Sequence, residues 1–334
     1  MRTPLARNRN GAFAPGAPSD VAAAEAGDAS GDYGSEVDGI AAAGVVSAGH
    51  AFGASSELRA SFRLREGRTA LGDAYFTSPL KLTKPFPVDG PSAGAAVTVM
   101  DVSPGLMDGD EYRLDWEIGA GCAVAMTTQS YAKAHPSPRF GAVQTTNIRV
   151  GAGASLVYAP QPTMLYADAA FRSSLRVELE ANASLLLFDA FCAGRIHYGE
   201  GESFRFRSYE SDVRVSTQGK LAAANRLRFR PAESDARAPG LFESYTHVGT
   251  LYGFGPFAGR GAADALLEAA EGRSGVFAGV SLAARGGLTA TVLGTAAWEV
   301  HETLLALGDA FVAYASRHAP PSCAPFAWPH DRRT

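Results

Sequence analysis

The chain has 334 residues, 46% of them apolar and 19% charged, with a formal net charge of −4. That is enough apolar material for one large domain or two modest ones, and too little basic excess for a nucleic-acid footprint over the whole chain. No stretch reaches the roughly 18 consecutive apolar residues that a membrane-spanning helix needs.

Residues 1–56 are dominated by Ala, Gly, Ser and Asp. Such a segment cannot bury enough surface to offset its chain entropy, so disorder is expected. Arg2, Arg7 and Arg9 stand there without an early acid, but no amphipathic face or apolar core of a targeting peptide accompanies them.

From Leu58 onward, short alternating segments run into small-residue turns and resume beyond them. Phe62-Arg63-Leu64-Arg65 meets Glu66-Gly67, Trp116-Glu117-Ile118 meets Gly119-Ala120-Gly121, and Ile148-Arg149-Val150 meets Gly151-Ala152-Gly153. Val177-Glu178-Leu179 meets Glu180-Ala181-Asn182, Val213-Arg214-Val215 meets Thr217-Gln218-Gly219, and Leu282 precedes Arg285-Gly286-Gly287. Period-two alternation predicts half-buried strands, and Gly or Asn supplies the positive φ of tight hairpin turns. Ile118, Val150, Leu179 and Val215 recur at intervals of about thirty residues, which predicts stacked, similar units. The expectation is a mainly β, layered, β-helix-like or solenoid stack of short strands and hairpins. The stretch 230–240 reads as an exposed loop.

The C-terminal part changes period. Val300, Leu304, Leu307, Phe311 and Tyr314 form the stripe of an amphipathic helix over about 297–318, stopped by Pro320-Pro321. A shorter helix is expected over about 262–271. The β-rich domain with its two helices is thus placed at 57–329, with a short tail at 330–334.

Cys122, Cys192 and Cys323 are odd in number, far apart and never at C-x₂-C spacing. This argues against a disulfide framework or a structural zinc site and fits a reducing, cytoplasmic setting. The seven histidines never stand two or four residues apart, and no P-loop, dinucleotide fingerprint, H-E-x-x-H or nucleophile elbow is present. These absences lower the expectation of an enzyme.

Four stretches resemble the urease accessory proteins of the UreD/UreH family. They are Ser78-Pro79-Leu80-Lys81-Leu82-Thr83-Lys84-Pro85-Phe86-Pro87, Pro104-Gly105-Leu106-Met107-Asp108-Gly109-Asp110, Pro160-Gln161-Pro162-Thr163-Met164-Leu165-Tyr166-Ala167-Asp168-Ala169, and Ala193-Gly194-Arg195-Ile196-His197-Tyr198-Gly199-Glu200. Their order and spacing follow the family pattern over residues 58–329. Asp108 stands where the family usually has Gly, and Ala132-Lys133-Ala134-His135 keeps only the Lys of a family Thr-Lys-aromatic-aromatic run.

The resemblance implies a non-enzymatic scaffold that works with UreF and UreG on apo-urease and carries nickel through an internal passage. It implies no tightly bound cofactor, only transient Ni²⁺, and leaves a homodimer open. Residues of the passage or of partner contacts are then expected among Asp110, Thr127, Thr128, Gln129, Lys133, Gln161, Asp168, Arg195, His197 and Glu200. Asp110 serves equally as an Asx-type turn residue. Glu200, with His197 three residues away, offers Ni²⁺ a weak, exchangeable foothold. Two rival readings stay open: a β-solenoid hydrolase with a spatially assembled carboxylate site, and a metal-independent β-rich interaction module.

Overall fold

The computed structural model describes residues 53–88 and 91–328. The expected disorder before residue 53 and the tail at 330–334 lie outside the described residues. Along the chain the elements are β1 (Ser55–Arg65), β2 (Arg68–Phe76), β3 (Leu80–Leu82), β4 (Phe86–Val88), β5 (Gly94–Asp101), β6 (Glu111–Ile118), β7 (Ala123–Thr128), β8 (Ala132–Ala134), β9 (Ala142–Val150) and β10 (Ser155–Ala159). They continue as β11 (Thr163–Leu165), β12 (Ala170–Leu179), β13 (Ser184–Cys192), β14 (Ser208–Thr217), β15 (Lys220–Phe229), β16 (His247–Phe254), α1 (Arg260–Ala270), β17 (Val276–Leu282), β18 (Gly287–Gly294) and α2 (Ala297–His318). Strand β1 takes in Ser55 and Ser56, two residues that the sequence assigns to the N-terminal extension.

Two sheets face each other. The first has the order β15-β14-β12-β9-β6-β1-β2; the second has β17-β18-β16-β13-β10-β7-β5-β3, with β4, β8 and β11 attached. From β5 to β14 the chain crosses from one sheet to the other and back, and each return lays a strand parallel to its predecessor. Ile118 therefore stands opposite Val150, and Val150 opposite Leu179. This register is the thirty-residue recurrence seen in the sequence. The sheets are not closed, so the architecture is a layered stack of strands.

Three expected hairpins are corrected by this topology. The turns at 66–67, 217–219 and 285–287 do join antiparallel neighbours, β1–β2, β14–β15 and β17–β18. Those at 119–121, 151–153 and 180–182 are corners, where the chain leaves the first sheet for the second. Gly121, Gly153 and Asn182 there have φ of 70°, 65° and 57°. A corner needs the same left-handed residue as a hairpin, so local chemistry does not separate the two. The corners stack on one another: Gly121 N–H donates to Ala152 O at 3.0 Å and Gly153 N–H to Ala181 O at 2.9 Å. A Cβ on Gly151 would lie 2.8 Å from Ala120 N, so the stack requires glycine.

The main core lies between the sheets, around Trp116, Ile118, Ile148, Leu156, Leu187 and Phe254. Strand β13 is buried on both faces. Leu185 and Leu187 point into this core, while Leu186 and Phe188 join a second core under the helices. That double burial is why its sequence reads as an almost unbroken apolar run.

Helix α2 covers the outer face of the second sheet. Val300, Leu304, Leu307 and Phe311 are buried, each worth roughly 2 kcal/mol in removed apolar surface. Small residues make their seat: a Cβ on Gly249 would come within 2.5 Å of Leu304, and one on Gly253 within 2.6 Å of the Phe311 ring. The stripe thus packs on the sheet. Beyond Pro320-Pro321 the chain folds back, and Trp328 Nε1 donates to Asp309 Oδ1 at 2.6 Å. The 230–240 loop is mainly exposed, but Ala236 within it is buried.

Candidate functional site

The two sheets do not pack solidly along their whole length. Polar residues on their facing sides leave a cavity of about 110 Å³. Tyr112 (β6), Gln144 and Thr146 (β9) and Ser173 (β12) line it from the first sheet. Asp101 (β5), Thr128 (β7), Tyr158 (β10) and Asp189 (β13) line it from the second. Its rim runs along Gln129, Tyr131, Lys133 and Gln161, where the second sheet is interrupted between β7 and β8 and between β10 and β11. Thr128 bridges the two interruptions. Its hydroxyl donates to Ser130 O at 3.2 Å and accepts from Gln161 N–H at 2.9 Å.

Asp189 is the distinctive group. It follows Leu187 on the inner face of β13, half-buried because one side meets the cavity. Ser211 Oγ donates to it at 3.3 Å, and among the described residues no basic side chain forms an ion pair with it. Burial pushes its carboxyl up to about 6, against the Ser211 bond. Its charge acts in turn on the hydroxyls of Tyr158, Tyr209 and Tyr252. Burial comes first in raising each of them, and Tyr158 reaches about 12. Near the other carboxylate, Tyr112 donates to Asp101 Oδ2 at 3.2 Å, and Asp101 Oδ1 accepts from Ser103 N–H at 2.9 Å. Burial, with Asp101 beside it, also raises the Tyr112 hydroxyl.

The residues named from the sequence divide into groups. Thr128, Gln129, Lys133 and Gln161 come together at the cavity rim. Thr127 turns away and donates to Ala159 O at 2.9 Å. Asp110 is buried in its turn, accepting from Met107 N–H at 2.7 Å and from Ala54 N–H at 2.8 Å. Asp108 accepts from the N–H groups of Arg139, Phe140 and Gly141 at 3.0, 2.8 and 2.8 Å. Desolvation raises its carboxyl, but those three donors prevail and hold it below the ordinary value. Asp168 occupies a left-handed turn with φ of 60°, its N–H on Arg205 O.

Arg195, His197 and Glu200 lie on the 193–207 loop, outside the cavity lining. His197 and Glu200 are exposed. Arg195 instead clasps Glu202, which is 8% exposed. The hydrogen bond from Arg195, against a desolvation cost, keeps the Glu202 carboxyl below its ordinary value. Among the described residues no group of three or more His, Cys, Asp or Glu side chains is arranged to hold a metal ion. No helix among them is long and apolar enough to cross a membrane.

Sequence reading missed Asp101, Tyr112, Thr146, Tyr158 and Asp189. A signal existed for the last: Asp189 is the one charged residue in the strand Ser184–Cys192, an otherwise almost unbroken apolar run in which a carboxylate stands out.

A family model described as UreD urease accessory protein matches residues 54–329. Among curated relatives, the urease accessory protein UreD of Acetivibrio thermocellus is 35% identical over 200 residues, covering 60% of this chain and 75% of the relative. That of Deinococcus radiodurans is 33% identical, covering 70% of this chain and 83% of the relative. The urease accessory protein UreH of Helicobacter pylori is 30% identical, covering 58% and 71%. Over residues 54–329 the chain belongs to the UreD/UreH family of urease accessory proteins.

Proposed function

We propose that this chain is a non-enzymatic cytoplasmic scaffold that, with UreF and UreG, delivers nickel to apo-urease by way of the cavity between its two sheets. The observation that carries the reading is Asp189. A half-buried carboxylate that faces this cavity, with no ion pair to a basic side chain among the described residues, is costly, and a passing cation would relieve that cost. Apart from Lys133 at the rim, the other polar side chains of the lining carry hydroxyls, amides and the Asp101 carboxylate. These are hard oxygen donors set singly around the space, which suits release of a borderline metal better than retention. The gap between β7 and β8, bordered by Gln129 and Lys133, gives the cavity its mouth.

The hydrolase reading is weaker on geometry. Asp101 is engaged with Ser103 and Tyr112, and Asp189 sits between sheets, whereas glycosidic chemistry needs two carboxyls flanking a substrate-sized cleft. The passage is tested by filling it. Ser173→Phe, checked for unaltered melting, is expected to leave complex formation with UreF and UreG intact while urease accumulates with less nickel. Full nickel loading with the cavity filled would reject the route.

A further inference from the structure

The open edges of the two sheets are not alike. In the first sheet, β2 carries Arg68 and Asp73 at one edge, and β15 carries Lys220, Arg226 and Arg228 at the other. Both strands also break register with their neighbours, β2 between Ala60 and Phe62 of β1, and β15 between Val215 and Ser216 of β14. One edge of the second sheet is divided between the three-residue strands β3 and β4, which contain Lys81 and Pro87. Charge, bulges, proline and shortness are the devices that keep an open strand from pairing with another chain. The remaining edge, β17, has none of them. Val276-Phe277-Ala278-Gly279-Val280-Ser281-Leu282 is uncharged and pairs with β18 in unbroken register. Among the described residues no backbone hydrogen bond beyond that ladder reaches it. Val276, Ala278 and Val280 pack against the core under the helices, while Phe277, on the opposite face, is 61% exposed.

We propose that β17 is an interface with a second copy of this chain, the two strands pairing antiparallel with Gly279 on the two-fold axis. Such a contact uses the same surface on both copies, so the strand must complement itself. With the axis at Gly279, Val276 stands across from Leu282, Phe277 from Ser281 and Ala278 from Val280, and every residue of the strand is paired. Moving the axis by one position leaves two residues at one end beyond the ladder. Phe277 then has Ser281 opposite and Gly279 diagonal to it, small residues that leave its ring room to lie on the strand. On the helix side, Val276, Ala278, Val280 and Leu282 of both copies join into one apolar row. No charge on β17 meets its own copy, whereas Arg226 and Arg228 would do so at the β15 edge. One strand pair buries less surface than a permanent dimer needs, so the association depends on concentration.

The axis residue supplies the test, made on the untagged full chain by sedimentation velocity over a range of concentrations. Gly279 is not held at positive φ, and a Cβ there would meet nothing within 4 Å, so Gly279→Lys and Gly279→Glu suit the folded monomer. The parent is expected to dimerise as concentration rises. Each variant is expected to stay monomeric, because like charges then stand directly opposite one another. An equimolar mixture of the two variants is expected to dimerise again. In the unsubstituted protein, amide exchange over residues 276–282 should slow with concentration, an observation that needs no variant to fold. A parent that stays monomeric, a dimer that persists in both variants, or folded variants that do not pair when mixed would overturn the proposal. So would protection of β17 that appears only when another protein is added, which would assign the edge to a foreign strand. Nickel delivery enters none of these measurements, so their failure leaves that reading to its own assay.

Discussion

Arg195 and Glu202 face each other as a fork. Arg195 Nε donates to Oε2 at 2.7 Å, a second guanidinium nitrogen donates to Oε1, and the cation lies 4.1 Å from the Tyr166 ring centre and 3.9 Å from that of Tyr198. Glu202 also accepts from Ala167 N–H at 3.4 Å, so the pair ties the 193–207 loop to the turn before β12.

The fork predicts an order of damage. Arg195→Ala strands a buried carboxylate and is expected to cost about 2–3 kcal/mol, by the usual worth of hydrogen bonds to charged groups. Arg195→Lys keeps the charge but loses the fork and ring contacts, and should fall between that variant and the parent. Chemical denaturation checks both. The pH dependence has a definite sign. Glu202 has a lowered folded pKa, so its contribution is present above the ordinary glutamate range and is lost as pH falls through the folded value. The stability gap between the parent and Glu202→Gln should therefore close on acidification.

Asp189 predicts the opposite sign. Its folded carboxyl titrates near 6, above the unfolded value, so the charged form destabilises the fold at neutral pH and the penalty is relieved as pH falls through that range. Asp189→Asn is expected to be about 1–3 kcal/mol more stable than the parent at pH 7.5, on the scale of 1.36 kcal/mol per pKa unit, with no gain near pH 4. The same variant should activate urease less well. Stability gained with function retained would separate Asp189 from the passage.

The seat of α2 predicts a steric effect. Gly253→Ala pushes a methyl into the Phe311 ring and should cost about 1–3 kcal/mol, the usual range for overpacking, as a lower melting temperature. The double variant Gly253→Ala with Phe311→Leu should recover part of the loss, since the smaller side chain leaves room for the methyl.

Asp108 predicts a local effect. Its three backbone donors make the 139–141 turn a dependent of one side chain. In Asp108→Gly, the amides of Phe140 and Gly141 should exchange with solvent faster, while those of β9 keep their protection. At pH values below the lowered folded pKa of Asp108, the parent should approach the same rates.

These particulars separate what a sequence discloses from what it hides. The strands around Ile118, Val150 and Leu179 and the stripe from Val300 to Phe311 were legible, because each places apolar groups at the period of its own element. The corners at Gly121 and Gly153 were not. A residue with positive φ between two alternating runs serves a hairpin and a corner alike, and only the partner strand decides. The cavity was hidden for a related reason: Thr146, Tyr158 and Asp189 come from successive coils and meet only when the coils stack. Thr128, Gln129, Lys133 and Gln161 were found through family resemblance rather than through any local chemistry. On the 193–207 loop, the sequence draws attention to Glu200, yet the carboxylate that turns inward is Glu202, just beyond the left-handed Gly201 with φ of 90°.

The central claim, that this chain enables nickel loading of urease, is tested most directly by reconstitution. Apo-urease, UreF, UreG and nickel are supplied in a heterologous host, and urease activity per mole of urease is measured with and without this chain. The account predicts activity that depends on the chain and falls in the Asp189→Asn variant. Equal activity in its absence, with the chain soluble and co-expressed, would contradict it.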